Sequence, residues 1–140
     1  MGNVSKKIDI TKVEYTALFV SDPLNLLSQF PARHDKVFAH HSTIWYKPTN
    51  LDDLQIGEKS MLKIIGYIAD ERCFAVLVEN SKSKNRFPHI TISCTQDTGP
   101  VYSNELLENA FVQNNIRMLS EPIFIDVVEG YKNTSGEVVV

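Results

Sequence analysis

Two segments of one pattern constrain most strongly how this chain can fold: His41-Ser42-Thr43-Ile44 and, 48 residues on, His89-Ile90-Thr91-Ile92. Each sits in a run rich in apolar and β-branched residues, the composition of a strand. Alternate strand side chains share a face, so the His and Thr of each segment point the same way, with Cα atoms roughly 6.6 Å apart. The plain reading is two strand histidines whose ring nitrogens bond to nearby backbone. The sharper one sets the two strands across a cleft, with two imidazoles and two hydroxyls turned into it. His40 also reads His-x-Ser, but on a regular strand it points to the opposite face from His41 and Thr43.

Residues 1–12 are polar and without a clear period, and read as a flexible N-terminal arm; residues 13–140 read as a single domain. Val13 to Val20 has the pattern of a strand. Asp22-Pro23 then marks a helix start, with Leu24, Leu27 and Phe30 at helical spacing until Pro31. A polar connection, Arg33-His34-Asp35, leads into a strand from Lys36 to Lys47 that carries the first segment and ends at Pro48. Ser60 to Ala69 and Cys73 to Glu79 form a hairpin about Asp70-Glu71-Arg72. Ser81 to Arg86 is a charged loop, and Pro88 to Thr95 is the strand of the second segment. Ser103 or Asn104 caps a helix that presents Leu106, Leu107, Ala110 and Phe111 on one face. Pro122 to Val128 and Glu137 to Val140 complete the strands. Each His strand is thus grouped with an apolar strand and a helix, in reversed order between the halves. That suggests a two-lobed α+β arrangement about a groove rather than an alternating parallel fold.

Composition narrows the function classes. With 140 residues, 43% of them hydrophobic, one domain with a substantial core is expected. A net charge of −3 gives no broad basic footprint for duplex DNA, and a small nucleotide or a strand end fits better. No apolar run reaches the roughly 18 residues of a membrane span, and Cys73 and Cys94 lack metal-ligand spacing. A monomer in the reducing cytoplasm, away from membranes, is expected. There is no Gly-rich phosphate loop, His-Glu-x-x-His, Cys-x-x-Cys or Gly-x-Ser-x-Gly. With His40 and His41 pointing apart, too few ligands converge for a metal, so neither metal nor other cofactor is expected.

The chemistry of the pair follows from imidazole. An ordinary pKa near 6.5 lets one copy act as base while another acts as acid near neutral pH. In-line cleavage of a phosphodiester needs both roles, one on the attacking oxygen and one on the leaving oxygen. His41 and His89 are the candidates, with Thr43 and Thr91 donating to the non-bridging phosphate oxygens. Tyr15, Trp45, Tyr46 and Tyr102 lie close enough in sequence to stack on a base. Trp45 shares the alternation of His41 and Thr43 but reads equally as core, and Tyr102, just before a helix, reads as structural. For Lys47, Lys84 and Arg86, surface charge is the simpler reading.

At these residues the chain resembles the two-histidine (2H) phosphoesterase superfamily, which carries two His-x-Thr/Ser-x motifs. The similarity extends through Phe30-Pro31 to Lys47-Pro48 and through Phe87-Pro88-His89 to Glu105-Leu106-Leu107. It is closest in character to the small cyclic-phosphodiesterase-like domains of RNA repair and tRNA ligation, and covers about Tyr15 to Phe111. The resemblance implies a bilobal fold, with two antiparallel-rich sheets facing a central cleft and helices outside. It implies a metal-independent hydrolase of a nucleotide or RNA 3′-terminal 2′,3′-cyclic phosphate, most simply yielding a 2′-phosphate. His89 would be the base, His41 the acid, and Thr43 and Thr91 the phosphate clamps. The same residues would serve an enzyme degrading cyclic di- or oligonucleotide messengers or 2′,5′-oligoadenylate. A non-catalytic module gripping a phosphate end is the alternative from another class. The short spacing between motifs implies an open groove.

Overall fold

The structure, a computed structural model, describes residues 8–140; the first seven residues of the expected arm lie outside the described part. The remainder of that arm is ordered into a 3-10 turn, Ile10–Lys12, whose preceding Asp9 carboxylate accepts from the Thr11 amide and hydroxyl. The elements that follow are β1 (Val13–Val20), α1 (Pro23–Gln29), β2 (Lys36–Val37), β3 (His41–Tyr46), β4 (Lys59–Ala69) and β5 (Cys73–Glu79). After these come β6 (His89–Cys94), α2 (Tyr102–Val112), β7 (Arg117–Asn133) and β8 (Val138–Val139).

Helix α1 starts as its sequence dictates. Asp22 Oδ1 accepts from the Asn25 amide at 3.1 Å and Pro23 occupies the first turn. Its buried residue is nevertheless Leu26, with Phe30 one turn on, while Leu24 is exposed. The Phe30 amide closes on the Leu26 carbonyl, which puts these two on one face and Leu24 on another. In α2 no side chain caps the first turn; Ser103 lies inside the helix and is buried. The hairpin of β4 and β5 forms as read, its turn held by Asp70 Oδ1 accepting from the Arg72 and Cys73 amides. On the other edge of β5, Cys73 and Cys94 are register partners across β5 and β6, both buried as thiols.

All strand pairings are antiparallel, in the order β2-β6-β5-β4-β7-β1-β3, with β8 beside β7. The fold is α+β. Where two facing sheets are expected, the ladder is one continuous sheet, because β4 and β7, at 11 and 17 residues, run through both halves. The expected Pro122–Val128 strand is the middle of β7.

The expected strand from Lys36 to Lys47 is broken in two. Ala39 adopts φ 59°, a left-handed conformation that a strand cannot continue through. On one side β2 pairs with β6; on the other β3 pairs with β1. These are the two ends of the sheet, and only Phe38–His40 join them. That link reaches about 14 Å when extended, whereas flat neighbours at about 4.8 Å spacing would leave the end strands roughly 29 Å apart. The sheet therefore curls until β3 meets β6. The closure is sealed by Phe38 and Ala39 amides donating to the Ile92 and Thr91 carbonyls at 2.8 and 2.9 Å.

Both motif strands are bulged at the same place. Ala17 opposes Thr43 and Thr16 opposes Trp45, leaving Ile44 as the extra residue; Ala75 opposes Thr91 and Phe74 opposes Ser93, leaving Ile92. Each bulge bends its strand just beyond the threonine. Ile44 and Ile92 enter one core with Leu18, Leu26, Ile64 and Val127. The fourth, apolar residue of each motif thus anchors the bend that aims the other three. Ile92→Ala is expected to cost about 2–5 kcal/mol in urea unfolding. A loss below about 1 kcal/mol would show that the bulge is not anchored by this side chain.

Candidate active site

Curling the sheet brings His41 and Thr43 of β3 and His89 and Thr91 of β6 around one cavity of about 590 Å³. The start of α2 and the inward face of β1 complete its walls. Among the described residues no three His, Cys, Asp or Glu side chains converge to hold a metal ion.

His89 is buried, and its Nδ1 lies 2.7 Å from the Phe87 carbonyl. A carbonyl only accepts, so Nδ1 carries the proton and Nε2 of the neutral ring keeps its lone pair. Burial pushes the His89 pKa below its ordinary value, and the bond to Phe87 opposes this only in part. His41 is pushed down to about 3, chiefly by burial and further by the neighbouring His40, His89 and Lys132. Both shifts favour the neutral form of the ring in the unliganded protein.

Thr91 is held by Ser103, whose hydroxyl lies 2.8 Å from Thr91 Oγ1 in the first turn of α2. Thr91 Oγ1 also donates to the Pro100 carbonyl at 3.4 Å, a long bond that a closer ligand acceptor would displace while Ser103 donates to the same oxygen. On the other side, the 81–86 loop buttresses β3: Ser83 Oγ donates to the Thr43 carbonyl and the Lys84 amide to the Ile44 carbonyl, at 2.8 and 2.7 Å. Asn85 of that loop reaches the cavity.

Against this geometry, residues 27–140 match the family described as the fungal tRNA ligase phosphodiesterase domain. The chain belongs to that family. It is a 2H phosphoesterase-type domain, and the family assigns it to cyclic phosphate hydrolysis at RNA ends. No curated protein matches the chain.

The aromatic candidates of this family member divide. Tyr15 lies against His41, ring centroids 4.6 Å apart, with its hydroxyl 3.4 Å from His41 Nδ1; burial first, and the Glu14 carboxylate second, raise that phenol to about 12. Tyr46 lines the cavity rim and is exposed. Trp45 is not in the cavity. The Ile44 bulge reverses the alternation after Thr43 and turns the indole to the opposite side, where Lys84 Nζ sits 4.6 Å from its ring centre. Tyr102 is also elsewhere, donating to Asp70 Oδ2 at 2.6 Å with Arg72 over its ring. Arg86 is engaged by both oxygens of Glu108. No helix of the described chain is long and apolar enough to cross a membrane.

His40 requires a correction. Alternation sends it away from His41, but the left-handed Ala39 breaks the alternation, and His40 lines the same cavity with its Nδ1 2.8 Å from His41 Nδ1. The two rings therefore do not point apart. Sequence reading also missed Lys132, which lines the cavity and pairs with Glu14 at 3.4 Å. It is the register partner of Tyr15 across β1 and β7, a pairing that no local pattern announces.

These depressed histidines have a signed consequence for stability. Below about pH 6.5 the unfolded chain takes up protons on these rings while the folded chain does not, so stability falls as pH falls toward 3. Urea midpoints are expected to drop across this window, and to drop less in His41→Asn. Parallel curves for the two proteins would mean that His41 is not held neutral by the fold.

Proposed function

We propose that the protein hydrolyses the 2′,3′-cyclic phosphate at an RNA 3′ end to a 2′-phosphate, without a metal ion, by acid–base catalysis between His89 and His41. The observation that carries this reading is the convergence of both His-x-Thr pairs on one cavity, with His89 Nδ1 committed to the Phe87 carbonyl. The bare Nε2 of His89 takes a proton from water as its oxygen bonds to phosphorus. The bond from phosphorus to the 3′-oxygen breaks as that oxygen receives a proton from His41. Charge gathering on the non-bridging oxygens is met by the Thr43 and Thr91 hydroxyls, with Lys132 supplying a nearby positive charge. Tyr15 holds the His41 ring from one side, and Tyr46, at the open rim, is placed to stack on a base.

A ligand phosphate changes the electrostatics in the right direction. An anion in the cavity favours protonation of the imidazoles that burial holds neutral, so the acid is loaded in the complex rather than in the empty site.

The test is turnover, with EDTA present, on RNA ending in a 2′,3′-cyclic phosphate, on nucleoside 2′,3′-cyclic phosphates, on 2′,5′-oligoadenylate and on cyclic dinucleotides. Hydrolysis of the cyclic-phosphate substrates is expected. His41→Ala and His89→Ala should each lower kcat by about 10²–10⁴, and Thr43→Val or Thr91→Val by less. Loss of activity in EDTA, or full activity in either histidine variant, would contradict the two-imidazole mechanism. Turnover confined to the oligoadenylate or cyclic dinucleotides would move the protein to a different substrate class.

A further inference from the structure

His41 is the proposed acid, yet it is the more deeply enclosed ring of an adjacent pair, and a buried imidazole is a poor store for a positive charge. Its neighbour offers a way out. The Nδ1 atoms of His40 and His41 lie 2.8 Å apart, the ring planes are within 19°, and the ring centroids are 4.9 Å apart. Nitrogens so much closer than the centroids mean that the rings meet side by side, Nδ1 to Nδ1, rather than face to face. Two lone pairs or two N–H groups cannot face each other at that distance, so one proton lies between them.

Resting on the function proposed above, we propose that His40 is a positioning residue that donates its Nδ1–H to His41 Nδ1, keeps the His41 proton on Nε2, and holds the proton that recharges His41 in turnover. Three observations support this direction. His40 is the more exposed of the two rings, whereas His41 is enclosed between β1 and β6, so an added proton is better hydrated on His40. Tyr15 places a hydroxyl 3.4 Å from His41 Nδ1, a second group able to donate to a lone pair there. His89 bonds through the same ring atom to a carbonyl, which fixes the opposite tautomer. The two motif imidazoles are thereby preset as unlike partners: Nε2 bare on His89, Nε2–H on His41.

The proton count closes. With His40 as imidazolium, the His41 Nε2 proton passes to the leaving 3′-oxygen while the His40 Nδ1 proton moves to His41 Nδ1. Both rings end neutral, and His89 ends as imidazolium with the proton from water. Release of that proton to solvent, and uptake of one by the His40–His41 pair, restores the start. The charged and titratable groups around the pair are Lys132 on β7, Glu14 and Tyr15 on β1, and His89 on β6; Phe38 faces His40 edge-on. Burial disfavours the added charge and Lys132 adds to this, so the His40 pKa is lowered from its ordinary value. An anionic substrate opposes both effects.

Two measurements on the full chain test this. Nitrogen-15 NMR of the histidine rings at neutral pH, without substrate, should show His41 protonated at Nε2 and His89 at Nδ1; His41 protonated at Nδ1 would overturn the inference even if the enzyme is active. The second is the pH–rate profile on a cyclic-phosphate substrate for wild type, His40→Asn and His40→Ala. The Asn amide can donate to His41 but cannot titrate. His40→Asn should keep KM within about threefold, lower kcat at pH 7.5 by about 10–100-fold, and move the alkaline limb at least one pH unit down. Added imidazole should partly restore His40→Ala. A His40→Asn profile that superimposes on wild type would reduce His40 to packing. The NMR result does not depend on turnover, so absence of activity on every substrate would count against the proposed function alone.

Discussion

Everything in the cavity depends on the link Phe38–His40, which ties together strands at opposite ends of one sheet. Three residues cannot bridge a flat sheet of this width, so the sheet must bend until β3 lies against β6. The left-handed Ala39 makes the turn, and its own amide and that of Phe38 donate to the β6 backbone within the second motif. The same short segment closes the fold, orients the first motif against the second and delivers His40 to its neighbour. A bulge at Ile44 and another at Ile92 complete the aiming by bending each strand at the equivalent point. Two motifs related in sequence are therefore related in local geometry as well.

The second organising constraint is desolvation. Three imidazoles share a pocket with a lysine, and protonating His41 and His89 together in the empty site would set like charges side by side where water is scarce. The fold keeps them neutral and uses hydrogen bonds, not charge, to make them different: a carbonyl on one Nδ1, an imidazole and a phenol near the other. Neutral rings leave room for an anion, whose arrival would favour the protonated ring that the proposed acid step needs. Ser103 serves the threonine side in the same manner, holding Thr91 from the first turn of α2.

Much of this was legible from residues alone because it is local. Period two placed His and Thr of each motif on one face; Asp22-Pro23 fixed the start of α1; Asp70-Glu71-Arg72 fixed a hairpin. What escaped was set by pairing and by departures from regular geometry. No sequence pattern marks Ala39 as left-handed, since alanine is not a residue that favours such a conformation, and so His40 was turned the wrong way. Trp45 followed strict alternation on paper, but a single extra residue, Ile44, carried it to the other face. Lys132 entered through the β1–β7 register, and the single continuous sheet came from β7 running well beyond the expected Pro122–Val128 at both ends, whereas β4 matched its expected length.

The central claim is that His41 and His89 act from opposite sides of one phosphorus, and a complex with a nucleoside vanadate tests it most directly. The expected crystal structure has vanadium in the cavity, each histidine Nε2 within about 3 Å of a different apical oxygen, and the Thr43 and Thr91 hydroxyls on equatorial oxygens. Vanadate bound by one histidine alone, or seated outside the cavity, would contradict it.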